Sequence, residues 1–204
     1  MTAIPTAESL AGEHHDADHH DVAPLRKTAM WVFLGSECIL FGAMIATFLL
    51  YRSTTADGPT AQELFKIPFT SASSFVLLMS SLTMVLAHNA FERKDMRRAR
   101  IFLLGTALLG ATFLAGQIFE FTDFVHEGLT PQVSPFGSSF YMLTGFHGAH
   151  VFIGVMLLTA MYVLSLSGRL YEDRGLNVEL VGLYWHFVDI VWIVIFTVVY
   201  LLQV

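Results

Sequence analysis

Leu183-Tyr184-Trp185-His186-Phe187-Val188-Asp189-Ile190-Val191-Trp192 lies inside an otherwise almost wholly apolar run covering 178–202. A helix rises about 1.5 Å per residue, so that run is long enough to cross a hydrocarbon layer about 30 Å thick. His186 and Asp189 stand three residues apart and share one helical face. Ionisable groups at that depth are expensive, and they are kept for pairing, binding or proton chemistry. The stretch therefore reads as a membrane helix with a polar function on one side.

Four further runs have the same character, at 28–51, 69–91, 101–125 and 138–166. The connectors hold the helix breakers Asp57-Gly58-Pro59, Pro68, Pro131, Pro135-Phe136-Gly137 and Gly168. A soluble bundle would carry a polar stripe on most helices, and these runs do not. Bulk properties agree. Charged residues make up 14% of the chain and mean hydropathy is +0.60, against roughly 25% charge in a soluble domain. The expected fold is all-α, a polytopic membrane bundle of five transmembrane helices over 26–204, preceded by a disordered His/acid-rich tail over 1–25.

The net charge of -6 comes largely from that tail, so nothing supports nucleic-acid binding. The single cysteine, Cys38, excludes an internal disulfide and a cysteine metal framework. A long polar lead-in before the first apolar run argues against a cleaved signal peptide.

Positive charge sets the expected orientation. Arg26, Lys27, Arg93, Lys94, Arg97, Arg98, Arg100, Arg169 and Arg174 fall on one side, and only Arg52 and Lys66 on the other. The positive-inside rule then puts the N-terminus in the cytoplasm and the C-terminus outside. The tail Gly12-Glu13-His14-His15-Asp16-Ala17-Asp18-His19-His20-Asp21 would lie on the cytoplasmic side. Its histidines His14, His15, His19 and His20 titrate near neutrality, which suits proton collection better than tight metal binding.

Glu37, Glu120, Asp123, His147, His150, His186 and Asp189 are the ionisable groups expected within the helices. Counting about 1.5 Å per residue from the helix ends gives two polar layers. One joins Glu37 to His150 or His186, and the other joins His147 to Asp189. Glu120 and Asp123 are expected near the outer interface, within reach of water. Such pairs would relieve the burial of each group alone, and would serve equally well as interhelical locks. No catalytic residue and no metal site is read from this pattern. Helix-borne Glu-x-x-His motifs are missing, and bulky aromatics crowd the helices on which a bis-His haem would need clear space.

Four elements together carry a resemblance. Tyr184-Trp185-His186-Phe187-Val188-Asp189-Ile190-Val191-Trp192 resembles the last helix of subunit III of haem-copper terminal oxidases. Phe136-Gly137-Ser138-Ser139-Phe140 with Thr144-Gly145-Phe146-His147-Gly148-Ala149-His150-Val151-Phe152-Ile153-Gly154 resembles its penultimate helix. Ser36-Glu37-Cys38-Ile39-Leu40-Phe41 resembles the helix with that subunit's buried glutamate, and Gln117-Ile118-Phe119-Glu120 a further acidic helix end.

The resemblance implies an accessory subunit without a cofactor of its own. Haem and copper would lie in partner subunits, and subunits I and II and membrane phospholipid would be its neighbours. Cytochrome c or quinol would donate electrons through other subunits, in a bacterial inner membrane. Glu37 would be the buried acid, with His150 and His186 beside it near lipid. Many members have seven helices, and the two N-terminal ones are missing here. Ser36-Glu37 leans towards the cytochrome c branch, whereas the five-helix form, Gly58-Pro59-Thr60 and Glu63-Leu64-Phe65 also resemble the quinol branch. Two other classes stay open: a proton-coupled carrier using Glu37, His150 and Asp189, and a structural scaffold.

Overall fold

A computed structural model describes residues 7–52, 66–167 and 175–202, with side chains from residue 24 onward. Five helices occupy these residues: α1 (Ala7–Tyr51), α2 (Ile67–Glu92), α3 (Met96–His126), α4 (Pro135–Leu166) and α5 (Gly175–Phe196). A π-helical turn, Thr197–Leu201, extends α5. Each helix includes a span long and apolar enough to cross a membrane, that of α1 being Pro24–Tyr51. The expected all-α membrane architecture is the one observed.

The chain divides into two compact units, Met1–Glu37 and Cys38–Val204. In the first unit α1 is helical from Ala7. Pro24 sits within this helix, and the Thr28 hydroxyl donates to the Pro24 carbonyl at 2.9 Å. The side chains of His14, His15, His19 and His20 lie outside the described residues, as do 53–65, Arg169 and Arg174.

In the second unit α2 packs on α3, α3 on α4, α4 on α5 and α5 back on α2. Local chemistry fixes the turns. After α2, Lys94 takes φ 60°, the Asp95 amide donates to the Ala90 carbonyl and the Lys94 amide to Phe91. This is a Schellman stop, with a lysine in the left-handed position usually given to glycine. Asp95 then starts α3 by accepting from the Arg98 amide at 3.1 Å. The same stop ends α3, this time with Gly128 at φ 91°, Leu129 donating to Phe124 and Gly128 to Val125. Ser134 caps α4 by accepting from Gly137 at 3.0 Å, with Pro135 in the first turn.

Close packing centres on Trp185, which is 1% exposed. Its ring passes between Gly110 of α3 and Gly154 of α4. A Cβ at Gly110 would stand 2.5 Å from Trp185 Cη2, and one at Gly154 would stand 2.7 Å from Cε3. Small residues at such crossings let helices approach where lipid supplies no hydrophobic drive between them. Gly148 plays the same part for Gln117, whose Oε1 would lie 2.6 Å from an added Cβ. Gln117 Nε2 meanwhile donates to the Thr144 carbonyl at 2.7 Å, tying α3 to α4.

The rigid indole cannot retreat from either glycine. Gly110→Ala and Gly154→Ala are each expected to destabilise the bundle by about 1–3 kcal/mol through overpacking. Thermal unfolding in mild detergent would measure this. In a Trp185→Phe background both penalties should shrink, and penalties of the same size there would contradict the clamp.

Candidate functional site

Polar side chains of α2 and α5 meet along the seam between the two helices. Three of the five α2 serines, at 74, 80 and 81, each meet a polar group of α5. Trp192 Nε1 donates to Ser74 Oγ at 2.9 Å and Trp185 Nε1 to Ser80 Oγ at 3.0 Å. The numbers run in opposite directions on the two helices, as an antiparallel pair requires. Beside the second of these bonds, Ser81 Oγ lies 2.9 Å from His186 Nδ1. Asp189 is 5% exposed, and its Oδ1 has no hydrogen-bond partner among the described residues.

The second layer is aromatic. His147 is fully buried, with its ring stacked on Trp192 at a centroid distance of 5.0 Å and an angle of 23°. Phe41 and Phe113 meet it edge-on at 6.4 and 6.1 Å. Neither ring nitrogen has a hydrogen-bond partner among the described residues, so the expected bond between His147 and Asp189 is not made. Depth alone suggested that pair, but the imidazole stacks on the Trp192 indole instead. His150 bonds the Phe146 carbonyl through Nδ1 at 2.9 Å and packs against Phe41 and Phe146. Its own carbonyl accepts from the Tyr184 hydroxyl at 3.1 Å. Glu37 ends the first unit, half-buried on α1. Its expected layer with His150 or His186 would join the two units and stands as an expectation.

A family comparison decides the lineage. The family described as Cytochrome c oxidase subunit III matches residues 4–204. The chain belongs to the cytochrome c oxidase subunit III family.

Relatives of this family member carry two kinds of name. The chain is 40% identical over 172 residues to "Cytochrome c oxidase subunit 3" of Bacillus sp. (strain PS3), covering 84% of this chain and 83% of the relative. It is 39% identical over 172 residues to "Quinol oxidase subunit 3" of Bacillus subtilis, covering 84% of each. "Cytochrome bo(3) ubiquinol oxidase subunit 3" of Pseudomonas aeruginosa is 36% identical over 206 residues, covering 99% of each.

Two features of this subunit III chain depart from the sequence reading. Glu120 is buried at 7% exposure and accepts from the Thr70 hydroxyl, rather than reaching water. It turns toward α2, and helix rotation is not legible in a hydropathy count. His88 was not singled out in the sequence. It sits on α2 one turn before Glu92, 3.5 Å from that carboxylate. The signal was available in its spacing of seven residues from Ser81, which puts both on one face.

Asp123 does lie at the helix mouth, ion-paired with Lys66 at 2.5 Å, with Glu127 at 3.7 Å from the same ammonium. The hydrogen bond to Asp123 is the main cause holding the Lys66 ammonium above its ordinary value of 10.5. A raised folded value means that the pair's stabilisation is fully present below pH 10.5 and fades as pH rises through the folded value. The pair is exposed, so the increment is small. Lys66→Gln should remove this alkaline decline from a plot of melting temperature against pH. An unchanged plot would show that the pair contributes nothing.

Proposed function

We propose that this chain is the accessory, non-catalytic subunit III of a proton-pumping haem-copper oxidase, within which oxygen is reduced to water. The observation that carries the reading is the family match across residues 4–204. Relatives at similar identity are named for cytochrome c and for quinol oxidases, so similarity supports both donors equally. The proposal keeps the cytochrome c branch first, on Ser36-Glu37, and the quinol branch as its alternative.

In this role the bundle steadies a catalytic partner. Subunits I and II are the proposed neighbours, with haem and copper in those partners and phospholipid along the apolar helix faces. What supports placing the redox groups elsewhere is the interior itself. His147 is hemmed by Phe41, Phe113 and Trp192, and no three His, Cys, Asp or Glu cluster as metal ligands among the described residues. Glu37, His150 and His186 are the proposed acid and histidines linked to protons or lipid, and the tail histidines His14, His15, His19 and His20 the proposed proton collectors. The positive-inside rule supports a cytoplasmic N-terminus in a bacterial plasma membrane. It uses Arg93, Lys94, Arg97, Arg98 and Arg100 around the α2–α3 turn against Arg52 and Lys66 on the other side.

Affinity isolation of the chain from its native membrane in mild detergent tests the reading. The expected preparation is coloured, gives a reduced-minus-oxidised haem spectrum and consumes oxygen with cytochrome c or with quinol. The donor that sustains turnover assigns the branch. A colourless preparation without a large partner would overturn the oxidase reading and favour a proton-coupled carrier.

A further inference from the structure

We propose that a cavity between the end of α1 and the start of α4 holds the uncharged sugar headgroup of a membrane glycolipid. The cavity lies wholly in the second unit. The inference goes beyond the oxidase reading and needs only a membrane-spanning chain. The volume is about 610 Å³, within the roughly 300–1,000 Å³ usual for small-ligand sites.

Its wall is built rather than incidental. The connector between α3 and α4 is pinned onto α4 by three bonds. The Tyr141 hydroxyl donates to the Leu129 carbonyl at 2.9 Å, the Ser138 hydroxyl donates to the Pro131 carbonyl, and Ser134 Oγ accepts from the Gly137 amide at 3.0 Å. Gly137 permits this approach, since an added Cβ would stand 2.7 Å from the Thr130 carbonyl oxygen. Buried Phe48 and Phe136 meet at 5.9 Å and join α1 to α4 at the same end. A preformed wall loses little freedom when a ligand binds.

The hydroxyls decide the chemistry. Each has a single hydrogen. Thr47 gives its own to the Ala43 carbonyl at 2.8 Å, Ser138 to Pro131, and Ser139 to Phe136 at 2.9 Å. All three residues line the cavity, and what they keep for a ligand is lone pairs. The ligand must therefore bring O–H or N–H donors. No charged residue lines the cavity among the described residues, and Arg52, beside Tyr51 in the chain, donates to the Leu202 carbonyl at 3.2 Å. A phosphate headgroup would lose water there and meet acceptor oxygens without a cation. Neutral sugar hydroxyls donate to those oxygens, and the Gln132 amide on the same wall can both donate and accept. Met142, which also lines the cavity, is 59% exposed on a membrane span, so the acyl chains have a lipid-facing exit.

Native mass spectrometry of the full chain in its purified complex, released from phosphatidylcholine nanodiscs, reads the retained lipid. The discs carry equal small fractions of glucosyl diacylglycerol, plain diacylglycerol and phosphatidylglycerol. The expected result is retention of glucosyl diacylglycerol over both others. Thr47→Val keeps the side-chain shape but removes an acceptor oxygen, and should lower retention about five-fold, as the loss of one hydrogen bond would. Thr112→Val removes a hydroxyl that bonds its own helix in the same way, at Leu108, but lies outside the cavity. It should leave retention unchanged. Met142→Trp should fill the cavity and abolish retention. Equal retention of the three lipids, a preference for phosphatidylglycerol, or glycolipid that survives Met142→Trp would overturn the site. So would a partner subunit released by Met142→Trp from a complex holding no glycolipid, because a protein then covers the cavity. Oxygen consumption enters none of these readouts, so failure here and failure of the oxidase reading are told apart.

Discussion

A polar group in hydrocarbon has no water to turn to, and leaving it without a partner costs several kcal/mol. Within eight residues α5 carries two indole N–H groups, an imidazole and a carboxylate. Ser74, Ser80 and Ser81 of α2 answer the two indoles and the imidazole. The bonds stand at successive levels along an antiparallel pair, so a slip of either helix by one residue would break all of them together. This seam sets the register of the last helix, and with it the positions of His186 and Asp189.

The remaining helices hold that register by shape rather than by polarity. Trp185 donates to α2 with its nitrogen and wedges its six-membered ring between the glycines of α3 and α4. One side chain thus touches all three neighbouring helices. Trp192 repeats the arrangement a heptad later, with Ser74 at its nitrogen and Phe113 and His147 against its ring. Polar anchoring and aromatic packing meet on the same two residues, which is why the aromatics of the quoted stretch cannot be read as packing alone.

Much of the fold was legible because hydrophobic length is a one-dimensional property. The runs at 69–91, 101–125 and 138–166 fall within α2 to α4, and the run at 178–202 ends one residue past the turn that follows α5. The helices begin earlier than the runs because Arg97, Arg98 and Arg100 continue α3 into the polar interface, where hydropathy loses it. The site was less legible because partnership depends on rotation about each helix axis. Counting residues put His147 and Asp189 at one depth, yet His147 stacks on Trp192 and no hydrogen bond joins the two. Glu120 similarly turns inward to Thr70. The serines of α2 gave no warning, since a serine in an apolar run looks alike whether it bonds its own helix or the next one.

Membership of the cytochrome c oxidase subunit III family gives the seam its context, but the seam's physics stands on this chain's own side chains. A double-mutant cycle tests it most directly, pairing Ser80→Ala with Trp185→Phe and measuring unfolding free energy in detergent. Interhelical hydrogen bonds in membrane proteins couple by about 0.6 kcal/mol on average and up to ~1.7. The account predicts a favourable coupling within that range for Ser80 with Trp185, and none for Ser80 with Trp192. Strict additivity of the Ser80 and Trp185 substitutions would contradict it.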